Sequence, residues 1–268
     1  MPPEEKPDEL ADTLRLSLTP GVGPRLRQSL LERFGSPSAI FAASQSELQS
    51  VPGIGAKLAS VLRRARDEID VAAEMELCRL QGVNIVPLGC PGYPRALEEI
   101  HDPPGVLFVR GKLESRDALA IAIVGSRHAT RYGLVTAERL AGSLARAGLT
   151  IVSGLARGID AAAHRGALGA GGRTIAVLGS GVLNIYPPEH DELSRQVMAQ
   201  GAVVGEAPVR SPPLSGAFPQ RNRLISGMTL GVVVIEAAVQ SGALITARHA
   251  LEQGRDVFAV PGPIDSRM

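Results

Sequence analysis

The sequence predicts an α/β fold with a doubly wound, mostly parallel sheet, preceded by a small all-α domain. From Ala118 onward, short apolar runs alternate with segments of helical periodicity, the pattern of strands joined by crossover helices. The runs are apolar along their whole length, as in a parallel sheet that helices cover on both faces. The predicted strands are residues 120–124, 149–153, 174–178, 202–205, 231–235 and 256–260. The predicted helices between them are about 131–147, 157–169, 189–200, 221–227 and 243–253.

The N-terminal part repeats a Gly-hydrophobic-Gly turn between helical segments, at residues 21–23 and 53–55. Such glycines let backbone amides approach a phosphate at a helix N-terminus, where the dipole also favours an anion. The repeat resembles a paired helix-hairpin-helix, or SAM-like, domain. These domains bind DNA or serve only for packing and docking, and both interpretations are open here. After the second turn, one long helix is predicted from residue 56 to about residue 80.

Three regions follow from this pattern. Residues 1–80 form the helical helix-hairpin-helix domain, and residues 81–118 form a Pro-punctuated connector that contains strands near 83–87 and 106–111. Residues 119–268 form the second domain, which resembles an extended Rossmann-like domain. Ligands of doubly wound sheets bind at the carboxyl ends of the strands, so a binding site is expected there.

Composition and charge narrow the class of protein. The 268 residues are 44% hydrophobic and contain no apolar run long enough for a membrane span or a signal peptide, which predicts a cytoplasmic protein. Cys78 and Cys90 are the only cysteines and lack metal-site spacing, so they are predicted to be reduced thiols. Residues 1–118 carry a net charge of −3 and residues 119–268 a net charge of +4, which permits an anionic partner for the second region.

The first cluster at a strand end is Gly125-Ser126-Arg127. Gly125 and Ser126 allow a tight turn whose amides can meet an anion, and Arg127 would project over it. The dinucleotide fingerprint is excluded because its second and third glycines are missing. We therefore interpret the turn as an anion site, with Arg131 at the start of the following helix.

The second cluster begins at Ser153-Gly154 and includes Asp160 and His164. Asp160 and His164 lie four residues apart on one predicted helix face and are expected to pair, a structural role that fixes the start of the helix. A metal or acid–base role finds no third partner in the sequence. The small residues Ser153 and Gly154 are expected to admit a close approach of the ligand.

The third cluster, Phe218-Pro219-Gln220-Arg221-Asn222-Arg223, precedes the apolar run of residues 230–235. Arginine presents a planar fork of donors that suits phosphate oxygens, and Phe218 can stack on a base. The alternative is a helix start in which Arg221 and Arg223 cap carbonyls or pair with a carboxylate. Glu236, after the next strand, is expected to be that buried carboxylate, and Ser241 or Thr246 to cap the helix that follows.

Together these clusters resemble the DNA-processing protein A family. The resemblance is carried by IVGSR (123–127), SGLARGIDAAAH (153–164), FPQRNRLISG (218–227) and VVVIEAAVQSGALITA (232–247), in order and correctly spaced. It implies a cytoplasmic homodimer that binds single-stranded DNA and loads the RecA recombinase in natural transformation and recombination, without enzymatic activity or cofactor. The implied contacts with the strand are Gly125, Ser126, Arg127, Phe218, Arg221, Asn222 and Arg223.

Departures from that family's pattern leave some points open. Ser215 stands where some members have a Lys, so that phosphate contact is in doubt. Members commonly continue into a C-terminal winged-helix domain, whereas this sequence ends at Met268. A weak contact with double-stranded DNA through the N-terminal domain also stays open.

Two rival functions remain. Nucleotide phosphoribohydrolases of the LOG type have similar glycine-rich strand ends, but their catalytic Glu follows the glycine loop. Here Glu236 precedes the corresponding segment, SGALITA (241–247). A scaffold that only docks the recombinase is the other rival. The central hypothesis is that arginines gathered at the strand ends hold a nucleic-acid backbone and break no bonds.

Overall fold

The computed structural model describes residues 7–238 and 241–262 and divides into two compact units. One unit comprises Met1–Tyr93 and Asp102–Leu107, and the other comprises Pro94–His101 and Phe108–Met268. All three crossings between the units therefore fall inside the predicted connector. Within the described residues, no helix is long and apolar enough to cross a membrane.

The first unit is mainly helical and uses the two glycine turns as its corners. Gly21 and Gly53 have φ of +87° and +90°, a conformation that other residues rarely adopt, and Gly23 and Gly55 are the N-caps of the helices that follow. The helices pack around a core that includes Leu30. In chain order they are α1 (Pro7–Leu18), α2 (Pro24–Phe34), α3 (Pro37–Ala42), α4 (Gln45–Gln49), α5 (Ala56–Glu68) and α6 (Val71–Leu80), before β1 (Asn84–Pro87).

The prediction of one long helix over residues 56–80 is wrong. The chain leaves the helical conformation at Ile69, where φ is −101° and ψ is 106°. The carboxylate of Asp70 then accepts a hydrogen bond from the amide of Ala73 at 2.9 Å and caps a new helix, α6. Aspartate is a preferred N-cap residue, so the sequence does mark this break. A prediction from the spacing of apolar residues alone does not take N-cap residues into account.

The second unit alternates strands and helices as predicted. Eight of the eleven predicted strands and helices between residues 120 and 260 begin and end within one residue of their expected bounds. The largest difference is the helix predicted at 221–227, which begins four residues earlier. The elements are α7 (Arg95–Glu98), β2 (Val106–Gly111), β3 (Ala120–Gly125), α8 (Arg131–Arg146), β4 (Thr150–Ser153), α9 (Ile159–Gly169), β5 (Thr174–Val177), α10 (Asp191–Gln200), β6 (Ala202–Gly205), α11 (Ala217–Gly227), β7 (Gly231–Ile235), α12 (Gly242–Glu252) and β8 (Asp256–Ala259).

The strand order is β1-β2-β6-β5-β4-β3-β7-β8. Strands β3 to β8 pair in parallel with one another, and β2 runs antiparallel to β6. The chain moves outward from β3 through β4, β5 and β6, then returns to the other side of β3 with β7 and β8. The predicted doubly wound, mostly parallel sheet is confirmed, and its direction reverses between β3 and β7.

Small residues bring α8 and α9 close together over one face of this sheet. Ala137 and Ala141 of α8 are fully buried, as are Ala163 and Ala167 of α9. At Gly166 an added Cβ would lie 2.2 Å from the backbone oxygen of Glu138, so glycine is required at this approach. This packing holds α8 and α9 against each other, and the first turn of α9 and the loop before α8 border the site described next.

Candidate functional site

A cavity of about 680 Å³ opens at the carboxyl ends of β3, β4 and β7. It lies where the sheet changes direction, the position at which doubly wound sheets bind ligands. Its wall includes Arg127 from the loop after β3, Asp160 from α9, and Phe218, Arg221 and Asn222 from α11. The structure therefore brings together residues from all three clusters that the sequence singled out.

The turn after β3 holds Arg127 at the mouth of the cavity. A Cβ at Gly125 would lie 1.9 Å from the backbone oxygen of Ile235, so only glycine lets this turn lie against the end of β7. The hydroxyl of Ser126 accepts a hydrogen bond from the amide of His128 at 3.1 Å. Arg127 is exposed, and its guanidinium carbon lies 5.5 Å from the centre of the Phe218 ring, within the range of a cation–π contact.

A second aromatic residue extends this surface. The ring of Tyr186 lies 5.6 Å from that of Phe218, centre to centre, with the two planes tilted by 45°. Tyr186 also lines the cavity. Tyr186 was not among the predicted site residues, although its place five residues after the glycine-rich segment 179–181 was an available signal.

Glu236 fixes the start of α8 and does not pair with an arginine of α11, so the predicted partnership is wrong. Its carboxylate accepts hydrogen bonds from the amide of Thr130, at 2.8 Å, and from the Thr130 hydroxyl. Glu236 has a φ of +51°, which is uncommon outside glycine, and its carboxylate occupies the space next to Gly133. Because β7 is the neighbour of β3, the residue directly after β7 reaches the loop after β3 before it can reach α11.

Arg221 forms the inner wall of the cavity and is only 4% exposed. Its Nη1 donates to the carbonyl oxygen of Gly154 at 2.8 Å and to that of Val177, and its Nε donates to Asn222 at 3.3 Å. Burial lowers the pKa of Arg221 to about 10, while the charge of Asp160 opposes that shift. The guanidinium stays protonated at neutral pH, so Arg221 supplies a positive charge with little freedom to move.

Asp160 lies beside Arg221 at the floor of the cavity. Its carboxylate accepts hydrogen bonds from the amides of Gly154, at 3.1 Å, and Ala156, at 3.4 Å. Burial raises the pKa of Asp160, and Arg221 and the two amides pull that pKa back down. A Cβ at Gly154 would lie 2.7 Å from both the Asp160 carboxylate and Nη2 of Arg221, so the glycine makes room for this pair of charges.

His164 does not pair with Asp160, so that prediction is also wrong. His164 is fully buried, and its Nδ1 lies 2.7 Å from the Thr174 hydroxyl. That hydroxyl donates its proton to the carbonyl of Ile151, so Nδ1 must be the donor to Thr174. Burial, with smaller contributions from His190 and Arg221, lowers the pKa of His164 to about 3, and the ring is neutral. The partner, Thr174, belongs to β5, and His164 reaches it from the face of α9 that packs on the sheet.

Arg223 lies away from the cavity wall, contrary to the expectation of a common arginine cluster. It is 5% exposed and forms an ion pair with Glu206. Residues two apart on an α-helix point about 200° apart around its axis, so Arg221 and Arg223 of α11 face opposite sides. The alternative in which an arginine of this stretch pairs with a carboxylate holds for Arg223, with Glu206 as the partner.

The remaining predicted residues divide between the wall and the interior. Asn222 lines the cavity and donates to the carbonyl of Gly242 at 3.0 Å, joining α11 to the start of α12. Ser153 is fully buried and donates to the carbonyl of Ile123 at 2.6 Å, and Arg131 is exposed outside the cavity lining. Ser241 is the N-cap residue of α12 but makes no side-chain cap bond.

These contacts define what the site can do chemically. It offers two guanidinium groups and two aromatic rings around a carboxylate that backbone amides already hold. Among the described residues, no group of three His, Cys, Asp or Glu side chains is placed to hold a metal ion. The arrangement suits the binding of an anionic, ring-bearing ligand.

Two models of known sequence families match this chain. Residues 84–268 match DNA recombination-mediator protein A, and residues 14–68 match the SAM-like helix-hairpin-helix tandem. The chain belongs to the DNA recombination-mediator protein A family. The resemblance inferred from the strand-end motifs is thereby confirmed, and the whole cavity lies within the part that matches this family.

Three known proteins are similar to this chain in sequence or in fold. Protein Smf of Synechocystis sp. is 40% identical over 261 residues, which cover 96% of this chain but only 66% of Smf. The crystal structure of DNA processing protein A from Streptococcus pneumoniae superposes with a TM-score of 0.81 at 34% identity, covering 96% of this chain and 88% of that one. A Helicobacter pylori protein, described by its single-stranded DNA binding mode, gives a TM-score of 0.60 at 29% identity, covering 66% and 81%.

Proposed function

We propose that this chain is a recombination mediator that binds single-stranded DNA in the cavity at the carboxyl edge of its sheet. The observation that carries the proposal is the contact between Arg127 and Phe218 at the cavity mouth. A guanidinium beside a half-buried aromatic ring at the cavity wall offers one partner for a phosphate and one for a base, which is the combination that sequence-independent binding of single strands requires.

The surrounding charges favour a phosphate at this place. Arg221 lies behind the mouth and keeps its charge, and the carboxylate of Asp160 is committed to two backbone amides and to Arg221. Glu236, a second nearby carboxylate, is bonded to Thr130. A backbone phosphate therefore meets Arg127 first, and a base can lie against Phe218 only if it is unstacked, as in a single strand.

Family membership supports the same ligand. The Helicobacter pylori relative is described as a protein that binds single-stranded DNA, and this chain shares its fold over 66% of the length. Because the chain spans 66% of the Synechocystis relative, the activity of a whole family member is carried over here only as a proposal.

The finer functions that the resemblance implies belong to this proposal. They are loading of the RecA recombinase, formation of a homodimer and participation in natural transformation in the cytoplasm. A contact of the helix-hairpin-helix domain with duplex DNA is kept as an addition to it. Mixing the chain with RecA and strand coated by single-strand binding protein tests the loading step, because a mediator accelerates assembly of RecA filaments and a simple strand binder does not.

A binding titration tests the proposed site directly. Labelled oligothymidine is titrated with wild type, with Arg127→Ala and with a control, Arg139→Ala, which removes an exposed arginine of α8. At about 50 mM and about 200 mM salt, loss of one phosphate contact lowers the log–log salt slope by about 0.7. We expect Arg127→Ala to bind about tenfold more weakly with the lower slope, and Arg139→Ala to match wild type. Equal affinity and slope for Arg127→Ala contradict the proposed site.

The enzymatic rival makes a different prediction. A nucleotide phosphoribohydrolase needs a carboxylate available for proton transfer, and both oxygens of Glu236 are occupied by Thr130. Incubation with nucleoside monophosphates, with released base measured by chromatography, separates the two functions. Release of base by wild type and its loss in Glu236→Gln would overturn the binding-only proposal.

A further inference from the structure

A second cation, Arg157, lies on the rim of the cavity beside the aromatic pair. It follows Ala156, which lines the cavity, in the loop between β4 and α9. Gly158, the next residue, is packed so closely that a Cβ would lie 2.2 Å from the backbone oxygen of Ser126. The loop that carries Arg157 therefore lies directly against the turn that carries Arg127.

Glu189 holds Arg157 in this structure. Nε of Arg157 donates to the Glu189 carboxylate at 2.5 Å, and about half of each side chain is exposed to solvent. Hydrogen bonds to Glu189 and then to the hydroxyl of Tyr186 raise the pKa of Arg157. Arg157 is thus connected to the same ring that extends the stacking surface of Phe218.

The backbone on both sides of this ion pair is fixed. Nδ1 of the buried His190, next to Glu189, lies 2.8 Å from the carbonyl oxygen of Leu155 and can only donate to it. Leu155 itself has a φ of +57°, an uncommon conformation for leucine that a well-held loop maintains. The exposed ion pair therefore sits on rigid supports, and only its two side chains need to move for Arg157 to change partner.

An exposed ion pair is easily exchanged. Pairs of this kind contribute little because water already solvates both charges. A phosphate, like a carboxylate, has two oxygens that can accept parallel hydrogen bonds from one guanidinium. In contrast, Arg173 is buried and bonded to Asp117, so it cannot exchange in the same way.

We propose that Arg157 is a second phosphate-binding residue for single-stranded DNA and that Glu189 competes with the strand for it. The inference rests on the proposed function and adds to it the path that the DNA strand takes across the site. The strand runs from Arg127 across Phe218 and Tyr186 to Arg157, and a phosphate replaces the Glu189 carboxylate when it binds. Glu189 thereby sets the affinity of the site without touching the DNA.

A double-mutant cycle with labelled oligothymidine tests this competition. The variants are Arg157→Ala, Glu189→Gln and the two combined. The matched control is Glu192→Gln, because Glu192 forms a similar exposed ion pair with Arg195, at 3.2 Å on α10, outside the cavity lining. All three substituted positions are exposed, and thermal unfolding checks that the fold is kept in each of the four variants.

The expected results are specific. Arg157→Ala lowers affinity and reduces the log–log salt slope by about 0.7. Glu189→Gln raises affinity about two- to fivefold, the fold-change that corresponds to an exposed ion pair, and more than Glu192→Gln does. In the Arg157→Ala background, Glu189→Gln gains no more than Glu192→Gln does.

Other outcomes overturn the inference and identify what failed. If Arg127→Ala weakens binding while Arg157→Ala retains wild-type affinity and slope, the cavity binds DNA but Arg157 takes no part. If Glu189→Gln and Glu192→Gln act alike, Glu189 is no competitor. If wild type does not bind the strand, the proposed function and this inference fall together.

Discussion

The guanidinium of Arg127 lies over the ring of Phe218, with 5.5 Å between its central carbon and the ring centre. Arg127 comes from the turn after β3 and Phe218 from the first turn of α11, so the contact joins a loop to a helix at the carboxyl end of the sheet. Arg127 is exposed and Phe218 is half-buried. The pair therefore offers a ligand a charge and a ring at once, and the two contributions are separable by mutation.

Removal of the ring tests the stacking contribution. We expect Phe218→Ala to weaken binding of oligothymidine by about 1–3 kcal/mol, the range found for loss of one base–aromatic stack, with an unchanged salt slope because no phosphate contact is lost. Fluorescence anisotropy measures both quantities. Phe258→Ala is the control, because it removes an exposed Phe of β8 outside the cavity lining. If the two variants bind equally well, the ring of Phe218 does not stack on a base.

The space at Gly154 is required by two buried charged groups. In Gly154→Ala the new Cβ would lie 2.7 Å from both Asp160 and Arg221, so at least one must leave its hydrogen bonds. We expect the free energy of unfolding in urea to fall by about 1–3 kcal/mol, the usual cost of overpacking. Gly169→Ala, at the end of α9 with no atom within 4 Å of the new Cβ, is the control. A wild-type unfolding free energy for Gly154→Ala would show that the site relaxes without strain.

The strands and helices were predictable because each depends on its own residues. Apolar runs and helical periodicity located β3 and β7 to within one residue. Partners were not predictable in the same way. Glu236 bonds Thr130 because β7 lies next to β3, and Arg223 bonds Glu206 because α11 turns it away from Arg221. Both outcomes depend on the strand order and on where a helix begins, which a list of motifs does not contain.

Glu236 organises the turn that carries Arg127, and its removal is expected to affect both stability and binding. Glu236→Ala eliminates two hydrogen bonds to Thr130, one of them from a backbone amide. We expect the free energy of unfolding to fall by about 1–3 kcal/mol, as for the loss of bonds to a charged group, and the affinity for oligothymidine to fall with it. Glu138→Ala, at an exposed position of α8, is the control for loss of a carboxylate. Wild-type DNA affinity in Glu236→Ala would show that the turn is held by other contacts.

The neutral, buried His164 makes stability depend on pH. Its pKa is about 3 in the folded chain against an ordinary value of 6.5, so the unfolded chain takes up a proton that the folded chain does not. The stabilisation is complete above about pH 6.5 and is lost as the pH falls from there toward 3, at up to about 1.4 kcal/mol per pH unit. Urea unfolding at roughly pH 7, 6 and 5 should show this slope, and His164→Gln should flatten it. His101→Gln, at an exposed position, should keep the wild-type slope. An unchanged slope in His164→Gln would contradict the assignment.

The hydrogen bonds between Thr130 and Glu236 connect positions that are 106 residues apart. During synthesis, the turn with Arg127 leaves the ribosome long before β7 does. Local bonds such as that from the His128 amide to Ser126 can form early, but the bonds to Glu236 must wait for that strand. A nascent chain that stops short of Glu236 would carry the basic turn without its anchor. In synthesis from the N-terminus, the bonds that anchor this turn can therefore form only once the chain has been made as far as Glu236.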